Sequence, residues 1–367
     1  MLLLKRGIKL LSLISALVFS ASAYAGLYGF TKTAIPQQHE TLTSPPRHII
    51  NYRQKMRDLV SSLARYGKSR NHDFQVLIHE GQYLLEKSLW EYHREGYNQI
   101  RQTSKLVEDP SFLSQDIPEI DENEDQKGTI HSYSDLFDGI VINNHYCQNK
   151  PISNLVLDLR IPVISIEQCP DDESLDEAII QSFTDKIAIY PFIYLSQAFK
   201  KIHRQLIINE NADSTLQIKD AKNISFLIND ASFSTPYQML EEIRNSNYDI
   251  VVIHPIFHGE IPFTKDDIEA MKIKKNGAKR LILAIYNVSE ISDNNYLWQK
   301  KWNKKHPDWI ANPSFVSERS YITQYWNPEW KQLASRYFKS ILDSGYDGVF
   351  LTGLENHSYF EYNKPLE

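Results

Sequence analysis

The sequence has little of what would announce several common chemistries. Cysteine occurs only twice in 367 residues, at Cys147 and Cys169, so no CxxC pair, zinc-ligand spacing or disulfide-dense scaffold is present. No G-x-S-x-G nucleophile elbow occurs either. Basic charge is in deficit: 40 Lys and Arg stand against 46 Asp and Glu, a net charge of −6. No cationic surplus is available to displace phosphate counterions, which excludes nucleic-acid binding as a main function. No apolar run reaches the ~20 residues that span a bilayer. With 13 Gly and 16 Pro, the chain is neither fibrous nor of low complexity. What remains is a 42.8 kDa globular chain, 42% hydrophobic and 12% aromatic, large enough for one α/β barrel or two ordinary domains.

The first residues set an expectation about compartment. Lys5, Arg6 and Lys9 precede a short apolar run, Leu10 to Phe19, and Ala23-Tyr24-Ala25 places small residues at both recognition positions of a cleavage site. This is the pattern of a secretory signal over residues 1–25, cleaved near Ala25 to leave an exported (periplasmic or extracellular) chain without a stable membrane span. In an oxidising compartment an even cysteine count points to one disulfide, Cys147–Cys169. The alternative is two half-buried free thiols.

Beyond an N-terminal extension at 26–46, short apolar runs rich in β-branched residues alternate with amphipathic stretches. The spacing predicts strands over Phe74–His79, Asp138–Asn143, Pro162–Glu167, Ile187–Tyr190, Asn223–Asn229, Tyr248–His254, Arg280–Asn287, Tyr321–Trp326 and Tyr346–Thr352. Most are nearly continuous apolar runs, as in VVIH and LILAIY, the signature of strands covered on both faces in a parallel sheet. Helices are predicted at Arg53–Tyr66, where Met56, Leu59, Val60 and Leu63 share a stripe, and at Pro328–Ser344, opened by proline and stopped at Gly345. About eight strand–helix units over 47–367 predict a single α/β domain, a (β/α)8 TIM barrel, with a doubly wound open sheet as the alternative. Residues 106–131, acidic and polar, read as a solvated loop insertion.

In a barrel the chemistry sits at the C-terminal strand ends. There the sequence places His79-Glu80-Gly81, Asn143-Asn144-His145, Glu167-Gln168, His254-Pro255, Ser289-Glu290, Trp326-Asn327 and Thr352-Gly353-Leu354-Glu355. Longer stretches surround these ends: NYRQKMRDLVSSLARYGKS (51–69), DAKNISFLINDASFS (220–234) and YDIVVIHPIFHGEIPFTKDDIEAMKIKKNGAKRLILAIYNVSE (248–290). PDWIANPSF (307–315), QYWNPEWKQLASRYFKSILDSGYDGVFL (324–351) and the aromatic Tyr359 follow. Together they resemble secreted TIM-barrel proteins of the endo-α-1,4-polygalactosaminidase-like glycoside hydrolase family.

The resemblance implies an amino-sugar polysaccharide, a galactosamine-rich polymer, as substrate or partner, and no cofactor. It also implies a rotated strand order. Residues 223–352 resemble the first five family strands and 53–190 the last three, a circular permutation that costs little where termini lie close together. Glycoside hydrolysis uses two carboxyl groups, and here the chain departs from the family pattern. By resemblance, Glu290 retains the glutamate after the third strand, while its partner two residues on is Ser292. Thr352 stands where the fifth strand ends in aspartate, with Glu355 three positions further. His254 replaces the second-strand aspartate, Asn143-Asn144 replace an acidic pair, and Glu167 keeps the eighth-strand acid.

Two readings follow. In one, Glu290 is a general acid with Glu355 or Glu167 as the second carboxylate. In the other, the barrel is catalytically inactive and binds carbohydrate or protein. His79, Glu80, Asn143, His254 and Thr352 are the expected polar contacts to substrate, and Tyr286 and Trp326 the expected stacking platforms. Trp298, Trp302, Trp309 and Trp330 are expected to serve mostly as packing. Arg53 and Arg57, four apart on one helix face, are expected to be solvated or ion-paired structural residues. His145, His254 and His258 lack the i,i+4 helical spacing of a metal pair, and no metal is predicted.

Overall fold

The computed structural model describes residues 50–87, 91, 133–196, 198–202, 207–315 and 319–363. The signal, extension and acidic insertion expected at 1–25, 26–46 and 106–131 lie outside the described residues. Eight parallel strands form a nearly closed, TIM-like barrel: β1 (Gln75–His79), β2 (Gly139–Asn143), β3 (Val163–Gln168), β4 (Ala188–Phe192), β5 (Ile224–Leu227), β6 (Ile250–Ile253), β7 (Leu281–Asn287) and β8 (Gly348–Thr352). The hydrogen-bonded order is β5-β6-β7-β8-β1-β2-β3-β4, so the last strand pairs with the first, Gln75 opposite Gly348 and Leu77 opposite Phe350. β4 and β5 lie side by side at the remaining seam without a ladder. Around the ring lie α1 (Tyr52–Arg70), α2 (Asn154–Asp158), α3 (Asp172–Asp185), α4 (Pro236–Arg244), α5 (Lys265–Met271), α6 (Pro328–Asp343) and α7 (Asn356–Asn363).

Eight of the nine predicted strands enter the ring within a residue or two of their expected bounds. The ninth does not. Ser320–Thr323 is instead the central strand of a small antiparallel sheet between Glu290–Ser292 and Ile310–Pro313. A short apolar run carries no mark of which sheet it joins.

Side-chain alternation explains which residues can reach the barrel mouth. Leu77, Val141, Ile164, Ile166, Phe226, Val252, Leu283, Ile285 and Phe350 belong to the interior core. Their neighbours Val76, Ile78, Ile140, Ile142, Val251, Ala284, Tyr286 and Leu351 pack outward beneath the helices. Two residues beyond an inward position is inward again, which turns His79, Asn143, His254, Asn287 and Thr352 toward the axis. Glu167, in step with Ser165, turns away from it.

The helices are capped as their sequences dictate. Asn51 accepts the Gln54 N–H at the start of α1, and α6 opens with Asn327 accepting Glu329 N–H and Pro328 in the first turn. At the opposite end of the barrel, fully buried Asp249 pairs with Lys274 at 2.5 Å and accepts from Thr215 Oγ1 at 2.7 Å. These groups fix the floor of the barrel and take no part in its mouth.

The β4–β5 seam is bridged from above. Phe199 is fully buried in the interior core and stacks on Tyr190 of β4 at 5.2 Å. Its N–H donates to Tyr190 Oη at 2.9 Å, and its carbonyl accepts from Asn229 N–H beyond β5 at 3.0 Å. Beside it, Cys147 and Cys169, which follow β2 and β3, form a disulfide with a Cα separation of 5.0 Å. Such a cross-link restricts the unfolded chain and contributes about 3 kcal/mol for a loop of this length. Replacing both cysteines by serine is therefore expected to lower the melting temperature by roughly 5 °C, measured by differential scanning calorimetry. An unchanged melting temperature would mean the bridge adds no stability.

Candidate active-site cleft

A cleft of about 570 Å³ opens at the C-terminal ends of β5 to β8. Asp230 enters it from beyond β5, His254 from beyond β6, Asn287 and Glu290 from the end of β7 and Thr352 from β8, while Tyr286, Tyr296 and Tyr337 line another part. Of the predicted residues, Glu290, His254, Thr352 and Tyr286 are thus brought together. Asp230, one position past the expected end of its strand, was not among the predicted site residues. Its signal was an acid two positions past a buried apolar run, after Asn229.

Asp230 is held by a hairpin. Ile256–Phe257 pairs antiparallel with Ile261–Pro262, and the turn between them has positive φ at His258 (51°) and Gly259 (74°). Glu260 N–H closes that turn on the Phe257 carbonyl at 3.0 Å. Positive φ at both central residues gives the twist that suits a hairpin, and it points His258 N–H at Asp230 Oδ2, 2.6 Å away.

Glu290 begins the small antiparallel sheet, opposite Ile322. Its Oε1 accepts from Asn356 Nδ2 at 3.2 Å and from Ser314 Oγ at 3.3 Å. Burial pushes the Glu290 pKa above its ordinary value, and the two hydrogen bonds oppose that rise. A raised carboxyl pKa in a cleft is the direction of shift that general-acid chemistry calls for. His254 is half-buried, and no hydrogen bond engages its ring among the described residues. Burial lowers its pKa against the pull of Asp230, which favours the neutral imidazole.

The remaining predicted residues lie elsewhere. His79, Glu80, Asn143 and Glu355 form a closed cluster over β1, β2 and β8. Asn143 Nδ2 meets His79 Nε2 at 2.9 Å, Glu80 Oε1 accepts Asn143 N–H at 3.0 Å, and Glu355 Oε1 accepts Gly81 N–H at 2.8 Å. Burial lowers the His79 pKa to about 4. Burial, and then the Glu80 carboxylate, push Glu355 up to about 8. Glu167 is fully buried and accepts the N–H groups of Tyr146 at 3.1 Å and Cys147 at 3.0 Å, with the Ser165 hydroxyl as a third donor. It fixes the disulfide loop.

Trp326 is wedged between Tyr52 (5.0 Å) and Phe360 (4.6 Å), away from the cleft. Tyr286 reaches the cleft, but its ring packs on Tyr337 at 4.9 Å and is only 6% exposed, so it offers little stacking face. Trp298, Trp302, Trp309 and Trp330 form a chain of ring contacts that packs the long β7–α6 connection. Arg53 pairs with Glu361 and Arg57 with Glu91, both structural. His145 bonds the Lys150 carbonyl at 2.7 Å. No helix among the described residues is long and apolar enough to cross a membrane.

No protein-family profile matches the chain. It is similar to an uncharacterized protein of Methanocaldococcus jannaschii, 27% identical over 161 residues, which cover 43% of this chain and 46% of that one. Uncharacterized proteins of Thermotoga maritima (23% over 125 residues, 32% and 36% of the two chains) and Deinococcus radiodurans (21% over 126 residues, 34% and 39%) are also similar. The chain spans less than half the length of these relatives.

The closed cluster has a consequence for stability. Glu355 binds its proton more tightly folded than unfolded, so the stability linked to that proton is present at acid pH. It is lost as pH rises from the ordinary carboxylate range through about 8. Glu355→Gln retains an acceptor for Gly81 N–H without the charge. It is expected to melt higher than the wild type at about pH 9, with the difference vanishing near pH 5. A variant no more stable at the alkaline end would show that Glu355 ionises freely.

Proposed function

We propose that this chain is an exported, glycoside-hydrolase-like barrel acting on an amino-sugar polysaccharide, with Glu290 as general acid and Asp230 as the second carboxylate, base or nucleophile. The observation that carries this reading is that Asp230 and Glu290 line one open cleft at the C-terminal strand ends. Asp230 thereby fills the role the sequence left to Glu355 or Glu167. Asn229, Asn287 and Asn294 provide amides for sugar hydroxyls, and Glu260 adds a third acid that suits a cationic amino sugar.

Two further observations support parts of it. The disulfide fits an oxidising, exported setting. The seam without a ladder falls between β4 and β5. That is the junction of the segments likened to the last and first family strands, where a circular permutation would have joined the original ends.

A second reading rests on Thr352, a neutral residue lining the cleft where the resemblance expects an acid. In it the cleft binds the polymer without cleaving it. Reducing-end release from deacetylated galactosaminan decides between the two. The wild type is expected to turn over, with Asp230→Asn and Glu290→Gln each slower by about 10²–10⁴ and unchanged in circular dichroism. The rate is expected to fall on the alkaline side, as Glu290 loses its raised-pKa proton. Equal rates in wild type and both variants would overturn the hydrolase reading, and calorimetric heat without turnover would establish the binding one.

A further inference from the structure

The two rings that the sequence offered for stacking are occupied, Tyr286 by Tyr337 and Trp326 by Tyr52 and Phe360. An open pair stands beside the residues that hold Glu290. Ser314 Oγ and Asn356 Nδ2 both donate to Glu290 Oε1, at 3.3 and 3.2 Å. Phe315 directly follows Ser314, and Tyr359 lies about one helical turn past Asn356 on α7. Their ring centroids are 5.7 Å apart, with the planes inclined at 51°. Phe315 is 73% exposed, and Tyr362, the i+3 neighbour of Tyr359 on α7, is 55% exposed. A single apolar side chain in water is ordinary. Here the exposed rings are grouped, and the group begins at the donors of a cleft carboxyl.

The pair is braced from both sides. Tyr359 meets Phe360 edge to face at 4.8 Å. Phe360 is 1% exposed and locked among Trp326, Tyr52 and Tyr325 at 4.6, 5.5 and 5.8 Å. Arg53 of α1 clamps α7 by donating from Nε and Nη2 to the two Glu361 carboxylate oxygens, at 3.0 and 3.4 Å. Ser314 N–H donates to the Ser320 carbonyl at 2.7 Å, which anchors the base of Phe315 to the small sheet that carries Glu290. A surface ordered before its ligand arrives loses little freedom on binding.

A sugar ring presents C–H groups on its face and hydroxyls at its edge, so an exposed aromatic ring takes the face while the hydroxyls stay in water. Resting on the polysaccharide reading of the cleft, we propose that Phe315 and Tyr359, extended by Tyr362, form a stacking subsite for the sugar units that run on from the cleft. The subsite lies outside the cavity and past the carboxyl, so it serves long chains and is not reached by short ones. It adds affinity for the polymer and takes no part in the chemical step.

Calorimetric titration of the full chain carrying Glu290→Gln, which suppresses turnover, tests this with a galactosamine disaccharide and an octasaccharide. Adding Phe315→Ala is expected to weaken octasaccharide binding about tenfold and to leave the disaccharide affinity unchanged. Phe315→Leu keeps apolar bulk without a ring and is expected to behave like Phe315→Ala, whereas Phe315→Trp restores the affinity. Phe315 stands in solvent, so these variants keep the fold. With Glu290 intact, Phe315→Ala is expected to raise KM for the polymer and leave kcat unchanged. Octasaccharide affinity indifferent to Phe315→Ala, an equal loss for both lengths, or no octasaccharide binding overturns the inference. Ring-dependent binding of the octasaccharide without any reducing-end release by the wild type removes only the hydrolase reading. Turnover by the wild type with a KM that Phe315→Ala does not move removes only the stacking subsite.

Discussion

The pairing of the last ring strand with the first is the constraint on which the rest depends. Gln75 lies opposite Gly348 in that ladder, and a side chain at Gly348 would run into the Gln75 carbonyl. Glycine permits the close approach, and the register that follows sets inward and outward positions on both strands. A slip of one residue would turn Leu77 and Phe350 out of the core and bring Ile78 and Leu351 in. It would also point Thr352 away from the mouth. The polar floor braces the same register: Gln75 Oε1 accepts Ile218 N–H and Asp347 Oδ2 accepts Ile282 N–H, both at 2.9 Å.

From that register the mouth divides into two halves of different character. Over β5 to β8 the loops stand back, and acids and amides line an open cleft. Over β1 and β2 the polar residues turn on one another: His79 is spent on Asn143, Glu80 on a main-chain N–H, and Glu355 on Gly81. Most of these groups are engaged within the cluster, while His79 Nδ1 and the Tyr133 hydroxyl are buried there without a hydrogen-bond partner. The open half retains atoms not engaged by the protein, the His254 ring among them.

How far the sequence disclosed this can be traced residue by residue. The strands were legible because both faces are covered and each therefore reads as a continuous apolar run. Helix α1 runs on to Arg70, beyond its predicted end at Tyr66, because Gly67 packs directly under the Phe74 ring and Lys68 and Arg70 sit favourably at the C-terminal dipole. Strand ends named the candidates, but proximity in sequence to a strand end does not fix direction. Glu167 and Trp326 were chosen by position, whereas parity sends the first outward and aromatic packing holds the second between α1 and α7. Glu355 lies three residues past its strand, far enough for the chain to turn toward β1. Asp230 was passed over because its role depends on the His258 hairpin, a contact 28 residues away that no local pattern announces.

The central claim is that ligand enters the half of the mouth bounded by Asp230 and Glu290. A crystal structure of the Glu290→Gln protein with a galactosamine oligosaccharide tests it most directly. The account predicts a sugar ring in the cleft over β5 to β8, with an Asp230 carboxylate oxygen and the residue 290 side chain within hydrogen-bonding reach of the same glycosidic linkage. Sugar bound over β1 and β2 against His79 and Glu355, with the cleft empty, would contradict it.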